Sequence, residues 1–171
     1  RPLYFEWSFG QKGPPLRFKT TEDRAIGISG RIDRIDVDPE RKLFLVIDYK
    51  TGSKKVSGNQ IRNGKALQLP LYILAVKQLL LPDYEPVGGL YYHLSDLKMD
   101  AGIVHADRLP EGLEISPRSS SIVPEGQWDR IFSQAQDRVL QVVHEIENGV
   151  FPSQPEPCEP WCPFKDICRI R

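Results

Sequence analysis

Residues 30–52 read GRIDRIDVDPERKLFLVIDYKTG, and the placement of this stretch decides the fold. Leu43 to Ile47 is an unbroken apolar run, the pattern of a strand covered on both faces. It leads straight into Asp48 and Lys50. Ionised groups taken out of water are strongly disfavoured unless they meet a pairing charge, a metal ion or an open cleft. Upstream, GRIDRIDV also has strand character. If a tight turn centred on Glu40 and Arg41 joins the two strands, Asp33 lies across from Asp48, Ile35 from Val46, and Arg31 from Lys50. Directly opposed residues are roughly 4.5–5.5 Å apart, so both carboxylates reach one cation. Lys50 shares the face of Asp48, with Phe44, Val46, Ile35 and Val37 continuing it as core.

Two readings of these charges follow. Asp33 and Asp48 hold a hard divalent ion such as Mg²⁺, which takes one or two carboxylates, waters and a phosphate oxygen. Alternatively, Lys50 and Arg31 neutralise them in a buried ion network. The first reading implies phosphodiester hydrolysis, with the ion lowering the pKa of a bound water and Lys50 orienting or polarising the nucleophile.

The 171 residues, 40% of them hydrophobic, suffice for one domain with a sizeable core. No apolar run approaches the length of a membrane helix and no signal segment opens the chain, so the expectation is a soluble protein. The chain starts at Arg1 and moves at once into the strand-like LYFEWSF, as a fragment of a longer polypeptide would. Twenty-three basic against 23 acidic side chains exclude a wholesale basic surface, so any nucleic-acid contact is local. The candidate is Lys50 to Lys65, where Lys50, Lys54, Lys55, Arg62 and Lys65 occur with no acid; a solvated loop is the other reading. Three cysteines, all after residue 157, do not make the disulfide framework of a secreted domain, and point to a reducing, cytoplasmic setting.

Strands are expected at 3–9, 25–37 and 43–50, and in VGGLYYHLSD. A helix is expected over 63–81, with Pro70 kinking it or falling within its first turn. Residues 107–127 read as loops with a short LEIS strand, and a second helix covers 125–148, stopped by Gly149. The fold class is α/β, a central mixed β-sheet with flanking helices. His93, His105 and His144 read as ordinary core or surface residues.

GRIDRID, VIDYKTG and QLPLY, in that order, resemble the RecB-type branch of the PD-(D/E)XK nucleases, with their restriction-endonuclease-like core. The CPFKDIC tail is similar to that of the iron-sulfur nucleases related to the AddB nuclease domain and to CRISPR-associated exonucleases. The resemblance covers nearly the whole chain as a single nuclease domain, 151–171 being its cysteine-rich tail. It implies Asp33 and Asp48 as ligands of Mg²⁺ or Mn²⁺, the Tyr49 carbonyl as a further ligand, and Glu6 as an acid able to join them. It assigns Lys50, Gln68 and Tyr72 to the catalytic motifs, and Cys158, Cys162 and Cys168 to a structural 4Fe-4S cluster whose fourth cysteine comes from upstream. The first cysteine spacing here is one residue longer than in the family, and no histidine precedes the first strand. The implied function is a metal-dependent deoxyribonuclease acting on DNA ends or single strands beside a helicase in DNA repair. The rivals are a catalytically inactive DNA-binding or scaffolding module of the same fold, and a restriction-type endonuclease.

Overall fold

The computed structural model describes residues 1–20, 24–52, 55–109, 112–113, 115–116 and 119–151. The chain divides into two compact units, Arg1–Leu140 and Gln141–Arg171. In the first, β1 (Pro2–Phe9) is followed by a small hairpin of β2 (Leu16–Lys19) and β3 (Ala25–Ile28), then by β4 (Gly30–Asp38) and β5 (Leu43–Lys50). Two helices come next, α1 (Gly58–Arg62) and α2 (Gln68–Ala75), the latter widening into a π turn over Val76–Leu80. Strands β6 (Glu85–His93), β7 (Lys98–His105) and β8 (Ile122–Val123) precede α3 (Glu125–Glu147), whose residues from Gln141 on belong to the second unit. Among the described residues, no helix is long and apolar enough to cross a membrane.

The main sheet runs β1-β4-β5-β6-β7-β8, with β5–β6 and β7–β8 parallel and the other pairs antiparallel. It is the mixed central sheet with flanking helices that the sequence leads one to expect. Alternation sends Phe44 and Val46 of β5 into one apolar cluster and Leu45 and Ile47 into another, so this strand is covered on both faces. The first cluster includes Leu69 and Ile73 of α2 and Trp128 and Ile131 of α3. The second is smaller, built on Val87, Leu90 and Val104 with Leu113 and Ile115 against it.

Departures from the expected elements have local causes. Pro70 is the third residue of α2, within the first turn, where backbone N–H groups have no intrahelical partner to lose. The single helix expected over 63–81 starts at Gln68, because Asn63 ends α1 and Gly64 turns at φ +67°. The expected strand over 25–37 is two, β3 and β4, on separate sheets. Strands β2 and β7 have no counterpart in the sequence reading. LEIS forms no strand among its described residues: Leu113 and Ile115 serve as half-buried cover, and β8 supplies the last strand. In the second unit, Gln141 donates to Glu145 at 2.8 Å, and Gly149 stops the helix at φ +66°.

Helix α1 begins with a capping box, in which the Ser57 side chain accepts from the Gln60 N–H and the Gln60 side chain accepts from the Ser57 N–H. Gly58 follows because the chain lies against the 119–121 turn, where a Cβ would fall 2.1 Å from the Ser120 carbonyl oxygen. Gly58→Ala is expected to destabilise the fold by about 2 kcal/mol, within the range for overpacking. Urea unfolding measures this, and an unchanged midpoint refutes it.

Candidate active site

The β4–β5 ladder runs from Asp38↔Leu43 to Arg34↔Ile47 and includes Ile35↔Val46, the register set by the tight turn. Asp38 fastens that turn, its carboxylate accepting the N–H groups of Glu40 and Arg41 at 3.1 Å. Beyond Arg34 the backbone pairing stops, and the Asp33 carboxylate accepts the Tyr49 N–H at 2.8 Å. This brings Asp33 next to Asp48, whose carboxyl feels its charge.

Asp48 is 4% exposed. Its Oδ1 accepts from Gln68 Nε2 at 2.8 Å. Its Oδ2 lies 2.7 Å from Lys50 Nζ but has no hydrogen-bond donor aligned on it. Burial pushes the Asp48 carboxyl above its ordinary value; the adjacent Lys50 ammonium opposes the rise, and the charge of Asp33 adds to it. Lys50 Nζ also donates to Gln68 Oε1 at 2.8 Å and stands 5.0 Å from the centre of the Tyr91 ring. Gln68 thus holds the acid with one end of its amide and the amine with the other. It can do so because it opens α2, while Tyr72, four residues on, shares its face. Gln68 Nε2 lies 3.3 Å from Tyr72 Oη, and the Tyr72 ring meets Phe9 edge-on at 6.3 Å. Burial holds the Tyr91 phenol well above its ordinary pKa, with the charge of Asp48 adding to the effect.

Asp33, Asp48, Lys50, Gln68 and Tyr72 therefore converge. Glu6 does not join them. It adopts φ +52° and pairs with Arg31 at 3.0 Å, both side chains largely exposed. Arg31, expected opposite Lys50, lies beyond the end of the β4–β5 ladder at Arg34 and pairs instead with Glu6. The cause is a slip in alternation: Ile32 and Ile35, three residues apart, both enter the first cluster. In place of the ion network with Arg31 stands a pair of acids with Lys50 beside Asp48. The Tyr49 side chain lies across the sheet, edge-on to Tyr92 at 5.7 Å.

Of the basic stretch, Lys55 pairs with Asp96 at 3.0 Å, and Arg62 donates to the Ser120 carbonyl at 2.7 Å and to Asn59 at 3.2 Å. Lys65 is exposed on the link to α2. Lys54, Cys158, Cys162 and Cys168 lie outside the described residues.

A hard cation fits the acidic corner. Asp48 Oδ2 is a buried oxygen without a hydrogen bond, Asp33 stands beside it, and two carboxylates completed by water and phosphate oxygens are an ordinary Mg²⁺ environment. A second group of possible ligands escaped the sequence reading: His105, Asp107 and Glu125, whose ligand atoms lie within 4.8 Å of one another. The His105 ring is buried, bonds to Glu125, accepts the Asp107 N–H at 3.2 Å and meets Trp128 edge-on at 5.1 Å. These contacts tie the end of β7 to the start of α3. The three residues have no local spacing pattern that marks them as neighbours.

A sequence model of the PD-(D/E)XK nuclease superfamily matches residues 1–169, and the chain belongs to that superfamily. Within it, the chain is similar to bacterial proteins named as subunits of an ATP-dependent helicase/deoxyribonuclease. It is 41% identical over 100 residues to that of Moorella thermoacetica, covering 54% of this chain and 9% of the relative. The identity is 37% over 101 residues for Geobacillus thermodenitrificans (54% and 9%) and 34% over 109 residues for Listeria monocytogenes (59% and 9%). The match thus spans less than a tenth of the length of these curated relatives.

Proposed function

We propose that this chain is the nuclease module of a helicase–nuclease system, a Mg²⁺- or Mn²⁺-dependent deoxyribonuclease hydrolysing phosphodiesters at DNA ends or in single strands. Residues 1–171 act as one module in this reading, with a helicase subunit or domain as partner. The observation that carries it is the buried Asp48 carboxylate, one oxygen held by Gln68 and the other left without a hydrogen bond beside Lys50. The names of the relatives supply the helicase and the deoxyribonuclease parts of the proposal.

Asp33 and Asp48 would hold the cation, with the Tyr49 carbonyl as a further ligand. When bound, the ion supplies an activated water and neutralises charge on the phosphoryl group. Lys50 orients the nucleophile and offers positive charge where negative charge develops. Gln68 keeps acid and amine in register, so the site is set before substrate arrives. Tyr72 and Tyr91 line the corner, and their burial strengthens the electrostatics within it. Lys54, Lys55, Arg62 and Lys65 contact the DNA backbone, which makes binding salt-sensitive. Cys158, Cys162 and Cys168 provide three of the four thiolates of a 4Fe-4S cluster with a structural role, and visible absorbance of the purified protein tests this.

Incubating end-labelled linear and closed circular DNA with the chain, in Mg²⁺, in Mn²⁺ and with chelator, tests the assignment. Ladders from the ends of linear DNA that vanish on chelation are expected; no cleavage in either metal refutes the proposal. Gln68→Ala is expected to lower kcat by roughly 10²-fold, because acid and amine both lose their positioning partner. The fold should survive this change, so circular dichroism beside single-turnover cleavage checks it.

A further inference from the structure

Among the described residues, three buried side-chain polar atoms lack a hydrogen bond: Asp48 Oδ2, His93 Nδ1 and His93 Nε2. The two residues sit near each other on adjacent strands. His93 is 1% exposed and is the parallel partner of Lys50, as Tyr91 is of Asp48. Tyr49 and Tyr92 touch across the opposite face, so alternation puts Lys50, Tyr91 and His93 on the face that carries Asp48. Buried polar groups nearly always find partners, and a ring with neither nitrogen satisfied bears the full desolvation penalty. Because both nitrogens are unpartnered, the observation does not depend on how the ring is turned.

Lys50 provides the reason. Its ammonium has three protons; it donates one to Gln68 Oε1 at 2.8 Å and is drawn to Asp48 Oδ2, 2.7 Å away, as an ion pair without an aligned hydrogen bond. A dication held by Asp33 and Asp48 would compete for that oxygen and repel the ammonium from it. The amine then keeps Gln68 and needs a second acceptor on its own face of the sheet. The imidazole on the paired position of β6 has, in its neutral form, one acceptor nitrogen.

We propose that His93 is a positioning residue for Lys50: it receives the Lys50 amine when a divalent cation occupies Asp48, and so keeps that amine in the corner during phosphodiester hydrolysis. This rests on the nuclease reading above. In the structure Lys50 sits beside Asp48 and the His93 ring is unpartnered; a cation held by the acids would move the pairing one strand across. The His93 side chain itself touches neither cation nor DNA.

The test follows the ring nitrogens of His93 by ¹⁵N NMR in the full chain, without DNA, as Mg²⁺ is added. Mg²⁺ is expected to shift one ring nitrogen in the wild-type chain, and the shift should vanish in Lys50→Ala. A His93 signal unmoved by Mg²⁺ in the wild type, or moved equally in Lys50→Ala, overturns the proposal. Cleavage gives a second readout. His93→Phe should lower kcat by roughly 10²-fold with KM within twofold, and His93→Gln, which restores an acceptor, should recover most of it. Wild-type kcat in a folded His93→Phe also overturns it. If the wild-type chain cleaves no DNA in Mg²⁺ or Mn²⁺, the nuclease reading fails, while the ring signal still decides the role of His93.

Discussion

Lys50→Ala is expected to reduce DNA cleavage by roughly 10³-fold or more, the scale lost when a preorganised charge facing the developing negative charge is removed. Asp48→Ala should do at least as much damage for a different reason. Lys50 is a third exposed and bonded to both Asp48 and Gln68, so its loss leaves the acidic pair in place. Asp48 is the buried member, and without it Asp33 is the remaining carboxylate of the pair. The two variants are therefore distinguished by metal binding. Lys50→Ala should still gain thermal stability on adding Mg²⁺, whereas Asp48→Ala should not. Affinity for a short single strand should stay within a few-fold of wild type in both, since phosphate contacts by basic residues dominate it. Retention of a tenth or more of the wild-type rate by either variant would remove the pair from the chemistry.

The corner was legible in the sequence because its parts are tied by short-range rules. A tight turn fixes a hairpin register, the register fixes which residues oppose each other, and a helix repeat puts Gln68 and Tyr72 on one face. An apolar run ending in Asp-Tyr-Lys marks a buried strand that stops at a polar site. What stayed hidden depends on irregular backbone or on distant packing. The resemblance implies Glu6 as an acid able to join the ligands, but its positive φ turns it toward Arg31, and no residue type in LYFEWSF signals that kink. The slip in alternation between Ile32 and Ile35, which moves Arg31 away from Lys50, is equally silent. Strand β7 opens with Lys98 after a turn at Leu97 with φ +54° and carries Gly102, so its composition resembles a loop; pairing with β6 makes it a strand. Single histidines have no spacing to read. The burial of His93 and His105 comes from tertiary structure, and nothing in their local sequence separates them from exposed His144.

Mg²⁺ should raise the thermal midpoint of the chain by an amount that grows with pH. A ligand at 100 times its Kd that binds only the folded state adds about 2.7 kcal/mol, or roughly 5–10 °C for a domain of this size. Burial lifts the Asp48 carboxyl above the ordinary carboxylate value. In the metal-free chain the unfolded state therefore releases this proton first as pH rises, the folded state binds more protons across that window, and stability falls. With Mg²⁺ present the sign reverses, because the cation binds the ionised form and protons compete with it. The two curves should coincide where Asp48 is protonated and separate as pH passes through its raised value, above the point where exposed carboxyls have already ionised. Thermal unfolding over a pH series, with and without Mg²⁺, measures the separation. It should vanish in Asp48→Asn, which cannot ionise, and on chelation in the wild type. A Mg²⁺ increment that is independent of pH, or that survives in Asp48→Asn, would mean that the stabilising ion sits elsewhere, with the His105, Asp107 and Glu125 group the next place to look.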